Sequence, residues 1–548
     1  YYVPIEDSLW EQNPNSHYLG GPEKLYVRYG FNAFNRVRFG VTAEKDPGEP
    51  FFTTGIPDSI KKLSGDQLKE GFDYFSFHAG VHDIGFLKAL SLGDYQLRFG
   101  QGLTMWSGLA FGKSTGAVDI KKFQPGVSPY TSSDENRFFR GAASTLDFGN
   151  LEVTAFYSKN RIDATSEQRD SLSQHEFFIT NLQESGLHRT VSEVNKKNTI
   201  TMNVYGGNIG FNYNRLKIGL TGVYTRFNQT LELDGALYNR FYFNGKENIN
   251  TRLDYDYLIG KFGLFGEVSH SQNGGWAQLH GITANVHPRF YLSLLYRNYQ
   301  KEYQNFFCNP FAESNAFNEQ GFYTGLRFDV AAGWLITAYM DHFSFPWLRY
   351  YSSKPSIGSD YFVQLDRYLN NEVNMYFRFK QKTKPQNLTG GENHSKPVMH
   401  YRKSSFRYNI SYQLTENIVM KDRLEFLLYK ESDIYKGTGF LVFHDINWSF
   451  WEKRLALYFR YALFDTDSYD ERIYAYENDM LYAFSVPAYY YKGSKIYLMT
   501  RLNLGERVSF WARYSHIWLK NREEFGSGLE LIDGNTKSEV KFQVMVKL

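Results

Sequence analysis

The chain has 548 residues, a formal net charge of +3, a mean hydropathy of -0.48 and a single cysteine. The near-neutral charge makes no case for a nucleic-acid partner, the polarity excludes a bundle of membrane-spanning helices, and one cysteine excludes an internal disulfide or a multi-cysteine metal site. Against that polarity stand 43 Tyr and 47 Phe, with only 9 Trp and 15 Pro, as expected of two aromatic girdles around a wet interior.

Tyr1-Tyr2-Val3-Pro4 has neither the basic region nor the apolar core of a signal peptide, so the chain reads as mature or truncated. Residues 1–22 read as an N-terminal extension or extracellular loop, and the first patterned strand is expected near Lys24 to Gly30. Between Phe86 and Phe99 the alternation places Leu87, Ala89, Ser91, Gly93, Tyr95, Leu97 and Phe99 toward lipid and Lys88, Asp94, Gln96 and Arg98 toward the lumen. Residues 101–134 follow as a Gly- and Pro-punctuated loop. Its glycines, with Trp106 and Phe111 as apolar anchors, suit a segment tucked into the pore as a plug or gate. Lys113, Arg137 and Arg140 complete the candidate gate and lumen set.

Further along, Phe290, Leu292, Leu294 and Tyr296 alternate with Tyr291, Ser293, Leu295 and Arg297, and Val373, Met375, Phe377 and Phe379 with Asn374, Tyr376, Arg378 and Lys380. Leu455 to Leu463 and Val508 to Tyr514 repeat the pattern, with Arg460, Arg501 and Arg513 as further lumen charges. The chain closes on Val540, Phe542, Val544, Val546 and Leu548 facing lipid, opposite Lys541, Gln543 and Lys547. Strands of about ten residues, apolar on one side only, cross a bilayer at a tilt.

Short connections at Phe34-Asn35, His82 to Gly85, Gly149-Asn150, Asn214-Arg215, His287-Pro288-Arg289, Ala332-Gly333, Asn370-Asn371, Thr415-Glu416-Asn417 and Gly505-Glu506 are placed in the periplasm. Long polar segments near 46–71, 101–134, 161–197, 229–248, 303–318, 385–397, 467–492 and 520–536 are placed outside. The expected fold is all-β: a single transmembrane antiparallel outer-membrane β-barrel of about 22 to 24 strands, with long extracellular loops and short periplasmic turns. The alternation gives about 23 strands, whereas bacterial single-chain barrels have an even number. One upward strand is therefore expected before residue 1 or in a poorly patterned part of residues 1–22.

No catalytic site is expected. Gly112-Lys113-Ser114-Thr115-Gly116 fits G-x-S-x-G without the helix a nucleophile elbow needs, and Ser107 stands where a phosphate-binding loop requires glycine. The 13 histidines offer no H-E-x-x-H pair, and no cofactor is implied. Cys308, in Asn305-Phe306-Phe307-Cys308-Asn309-Pro310, reads as a loop cysteine without a role.

Several runs carry a resemblance: Gly93-Asp94-Tyr95, Phe99-Gly100-Gln101-Gly102-Leu103, Trp106-Ser107-Gly108, Phe111-Gly112-Lys113-Ser114, Glu135-Asn136-Arg137 and Arg140-Gly141-Ala142-Ala143. Tyr18 to Pro22, Thr42 to Asp46, Asn318-Glu319 with Gly321, and Phe345-Pro346-Trp347 add to it. Together they resemble the barrel part of a Bacteroidota outer-membrane family that carries periplasmic helix-hairpin-helix repeats, similar to those of competence DNA receptors, ahead of the barrel. The resemblance implies a strand upstream, a periplasmic N-terminal region missing from this chain, and a port for DNA uptake or handling. Residues 1–22 cannot form such repeats. The leading expectation is a gated or plugged conduit in contact with outer-membrane lipid and lipopolysaccharide. The alternative is a structural subunit binding other envelope proteins, and nucleic acid is a partner by resemblance alone.

Overall fold

The computed structural model describes residues 10, 12–108, 110, 112–171, 174–232, 235–370, 372–388, 397–432 and 434–548, without the side chains of 168–176, 434 and 435. Among the described residues, twenty-three long strands form one continuous antiparallel ladder from Leu25–Ala33 to Thr536–Val546. Each strand bonds to its successor, so the wall is a meander. Inner connections are tight. At the first, between Ala33 and its register partner Val37, Phe34 and Asn35 both take positive φ, 52° and 53°, and the Arg36 N–H closes on the Ala33 carbonyl, the backbone twist that suits a hairpin turn. Two further inner turns, at 260–261 and 451–454, went unread in the sequence, as did the brief outer connection 272–275.

Side chains alternate across this wall. Phe510, Tyr514, Tyr461 and Leu463 stand exposed on the outside, whereas Arg513, Arg460, Ser293 and Arg297 are buried within. An exposed apolar belt is stable only against lipid, and a ladder satisfies its own backbone groups there. Tyr157, Tyr205 and Tyr224 of neighbouring strands form a row with successive ring centroids 5.0 and 6.1 Å apart, and Phe86 stacks on Phe148 at the inner rim. The protein is an outer-membrane β-barrel, and a large part of its interior is packed rather than wet. Two of its apolar clusters lie inside the wall, built around Tyr95, Phe139 and Phe227 and around Phe265, Tyr299 and Tyr323.

That filling overturns one face assignment. In strand Leu87–Phe99, Ser91 is in register with Ala143, and Tyr95 with Phe139. Tyr95, Leu97 and Phe99 are buried with Phe156 and Met105 inside the barrel, while Leu92, 46% exposed, faces lipid. Asp94 pairs with Arg140 on Leu92's side and does not line the lumen as expected, whereas Arg98, bonded to Gln96 at 2.6 Å, turns to the inward segment, donating to the Ser107 carbonyl at 3.0 Å with its guanidinium 6.0 Å from the centre of the Trp106 ring. Alternation survives, but where the interior is a packed core, an apolar face no longer distinguishes lipid from lumen.

Candidate functional site

The segment 101–134 turns into the barrel directly after Phe99. Gly100 and Gly102 have φ of 62° and 87°, and a β-carbon on Gly100 would lie 2.4 Å from the Arg252 guanidinium and 2.6 Å from the Glu267 carboxylate. The fully buried Glu267 accepts from the backbone N–H groups of Gln101 at 2.5 Å and Thr104 at 3.0 Å. Hydrogen bonds to a charged group contribute about 1.5–3 kcal/mol each. Thr104 also meets Ser269 at 2.7 Å, and the Tyr303 hydroxyl donates to the Leu103 carbonyl at 2.8 Å. Farther in, the Ala117 carbonyl accepts from Tyr323 at 2.7 Å and Ser293 at 3.1 Å. These acceptors and donors belong to three wall strands and to the outer connection that carries Tyr303, so the segment crosses the lumen.

Lys113 is its electrostatic anchor. The side chain is 6% exposed, and its ammonium lies 2.6 Å from Glu313, 2.7 Å from Asp341 and 3.4 Å from Asp360. Asp341 is shared with Arg297, which also donates to Glu319 at 2.6 Å. Removing one partner of so buried a pair costs about 3–5 kcal/mol. A second outer segment, 303–318, clamps the first: Asn305 donates to the Leu103 and Thr104 carbonyls, the Trp106 N–H donates to the Phe307 carbonyl, and Lys122 bonds to the Asn309 carbonyl.

A third inward segment fills the opposite side. Its two-residue strands Ile473–Tyr474 and Ala488–Tyr489 pair with each other. Glu477, between them, receives Arg513 at 2.5 Å, Lys495 at 2.7 Å and the Tyr489 hydroxyl at 2.6 Å. Lys541 of the last strand pairs with Asp479 at 2.7 Å.

Between the two fillings the wall strands Val373–Asn387, Val398–Thr415 and Ile418–Glu431 keep half-exposed inner faces. Arg378, Lys380, Lys382, Lys384, Lys403, Arg407, Lys421 and Arg423 project there, and the first two strands contain no carboxylate at all. Arg407 is neutralised by Glu425 at 2.7 and 2.9 Å. Arg378 has the amide of Gln364, and Arg423 lies 4.9 Å from the centre of the Phe443 ring. The sector is a cationic strip.

The remaining expected site residues scatter. Trp106 is buried, with the Lys122 ammonium 4.3 Å from the centre of its ring, and its indole N–H has no partner among the described residues. Phe111 lies outside the described residues. Arg140 chelates Asp94 at 2.7 and 2.9 Å, Arg137 is near Asp134 and Glu184 at the outer rim, and Lys88 pairs with Glu152 where the register breaks at the inner rim. None of these three enters the lumen centre. Above the plug, a cavity of about 1300 Å³ opens among Trp106, Phe138, Tyr242, Phe306, Phe307 and Phe317. Sequence reasoning missed Glu267, Glu313, Asp341 and Asp360. The only signal was a carboxylate at an inward position of an otherwise ordinary strand, or, for Glu313, within an outer loop.

Outside the wall, His188 offers both ring nitrogens to carboxylates, Asp73 at 2.5 Å and Asp163 at 2.7 Å, with Glu49 4.0 Å away. Burial alone would depress the imidazole, but the bonds to Asp163 and Asp73 outweigh it and raise the pKa to about 10. The ring is thus a cation joining two outer connections rather than a free ligand.

No family model matches the chain, and no curated protein matches it. Among solved structures it is similar to the copper transporter OprC, at 9% identity over 97% of this chain and 80% of that one, with a TM-score of 0.42. It is similar as well to the siderophore receptor PirA from Pseudomonas aeruginosa, at 8% identity over 96% and 77%, with a TM-score of 0.41. For OccAB3 of Acinetobacter baumannii the figures are 11% identity, 72%, 98% and 0.30. Likenesses this distant say nothing of solute or partner.

Proposed function

We propose that the protein is a gated conduit, shut by segment 101–134, whose cationic strip admits anionic solutes. The observation that carries this reading is that lock and lining share two carboxylates. Glu313 and Asp360 hold Lys113 of the plug and, at 2.7 and 3.6 Å, Lys382 of the strip. An anion that engages Lys380, Lys382 and Lys384 competes with those carboxylates and loosens the plug's anchor. The aromatic cavity above the plug is then the outer vestibule.

Single-channel recording tests this. Lys113→Met should convert a closed protein into one with steady conductance and an anion-selective reversal potential, and adding Arg378→Glu and Lys403→Glu should shift that potential toward cations. Silence from both variants, with barrel insertion verified by heat-modifiable mobility, would sink the conduit. It would favour a second reading, supported by the lumen being filled from both sides: a closed barrel serving as the membrane part of a larger envelope assembly. The motif resemblance to Bacteroidota barrels with periplasmic repeats supports that reading too.

A further inference from the structure

Within the half-exposed sector the arginines form a belt across neighbouring strands. Register fixes its course. Arg378 stands opposite Arg407, and Arg407 opposite Glu425. Arg423 follows two residues from Glu425 on the same strand, opposite Phe443, and Arg460 comes next, opposite Asp445. With strands about 4.8 Å apart and a rise of about 3.3 Å per residue, the α-carbons of Arg378 and Arg423 lie about 12 Å apart. Two arginine side chains span that separation and can meet on one small ion.

Two members of the belt are neutralised and two are not. Arg407 holds Glu425 at 2.7 and 2.9 Å, and Arg460 holds Asp445 at 2.6 and 2.7 Å. Arg378 and Arg423 have amides instead: their Nε groups donate to Gln364 Oε1 at 2.8 Å and to Asn409 Oδ1 at 3.4 Å, and neither forms an ion pair among the described residues. Rings steady both guanidinium groups, Phe362 and Tyr376 at 5.4 and 5.0 Å from the first and Phe443 at 4.9 Å from the second. With Nε engaged, the terminal nitrogens of each fork remain as donors. Lys421, opposite Asp445, adds a fifth cation, and Asp366, bonded to the Gln364 amide at 2.7 Å, a third carboxylate. Five cations against three carboxylates leave a surplus of two positive charges.

We infer that Arg378 and Arg423 bind one tetrahedral dianion between them, a phosphate or sulfate group. The inference rests on the reading of the strip as a path for anions and names the class that the path takes. A dianion cancels the surplus, and its four oxygens accept from both forks at once, in the planar two-point geometry that guanidinium offers to phosphate. A carboxylate has one charge and two oxygens, enough for a single fork. Chloride has one charge and no directional acceptors. Strand Val373–Asn387 runs from an inner turn toward the outside, so a solute entering from outside meets Lys384, Lys382 and Lys380 before it reaches Arg378.

The test is calorimetric titration of the purified protein in detergent with inorganic phosphate and with sulfate at constant ionic strength. Both should bind at one site, and acetate should not displace them. Arg378→Gln and Arg423→Gln should each weaken binding about ten-fold or more, whereas Lys88→Gln, which removes a cation at the inner rim, should leave it unchanged. Thermal unfolding gives a second measure: sulfate should stabilise the wild type more than acetate does, and the difference should vanish in the two arginine variants. Competition by glucose 6-phosphate would assign the site to phosphate carried on a larger solute, and its failure to compete, to the free ions; either upholds the class. Equal affinity for acetate, or undiminished binding in both arginine variants, would overturn the inference. Because no ion flow is measured, a silent channel that binds sulfate would sink only the conduit, and a conducting one without this binding only the site.

Discussion

The carbonyl oxygen of Ala117 occupies the place of a side chain on Gly325: a β-carbon there would lie 1.9 Å from it. The plug backbone is seated against the wall because strand Glu319–Ala331 has no side chain at that point, and the same oxygen is held by Tyr323 and Ser293.

Gly325→Leu should therefore expel the plug without altering it. The strand keeps its ladder, so the barrel should still assemble, at an overpacking cost of about 1–3 kcal/mol if the segment resists displacement. Sensitivity of cells to a large hydrophilic antibiotic is expected to rise. Unchanged sensitivity in a correctly inserted variant would show that Ala117 does not seal the lumen.

Cys308 should report on the same contact. Burial pushes its thiol up to about 12, and its neighbours Phe307 and Asn309 bond to Trp106, Gly102 and Lys122 of the plug. An impermeant maleimide on intact cells should label the wild type slowly and Gly325→Leu on the order of ten-fold faster or more, because the thiolate is the reactive form. Equal rates would mean that segment 303–318 does not follow 101–134.

How much of this was legible in the sequence follows from what each residue touches. Val508, Phe510 and Tyr514 face lipid and Arg513 the interior as the alternation indicated, because a strand with lipid on one side and charge on the other reports both environments locally. The inner turn at Phe34-Asn35 was readable for the same reason. Tyr95, Leu97 and Phe99 misled, since their partners are core residues brought from far along the chain. Glu267 lies 166 residues beyond Gln101, whose N–H it accepts, and Lys113 lies 228 residues from Asp341. Such pairings are set by the curl of the wall, to which no local pattern is sensitive.

The lipid face gives a direct comparison. Val544 and Gln543 are adjacent, yet Val544 is exposed outward while the Gln543 amide donates to the Leu481 carbonyl inside. Val544 is two residues from the inner end of its strand, so Val544→Arg should lose less than the about 2–4 kcal/mol of a midplane site but still more than Gln543→Arg, which loses only the hydrogen bond. Heat-modifiable mobility on gels should show markedly less folded barrel for the first. Equal yields would contradict the assigned faces.

The outer knot at His188 should be pH-dependent, and the sign can be worked out from its members. His188 is raised from 6.5 to about 10 by its bonds to Asp163 and Asp73 against the opposing effect of burial, so the folded loops hold a proton that free loops release between those values. Glu135, raised from 4.5 to about 9 by burial and then by Asp73, has the same sign. Asp73 is lowered from 3.8: burial opposes this, but its bond to His188 and the nearby charges of His188 and Lys197 prevail. Its contribution is therefore present above pH 3.8 and lost at greater acidity. The His188 contribution is complete below pH 6.5 and disappears as the pH rises through about 10. Loops 46–73 and 163–199 should accordingly resist proteinase K on intact cells near neutrality and become progressively cleavable toward pH 10. His188→Gln, which keeps the size but cannot carry the charge, should be cleaved readily at neutral pH and show little further change on alkaline titration. If the variant kept the wild-type pH profile, His188 would not be the group that ties these connections together.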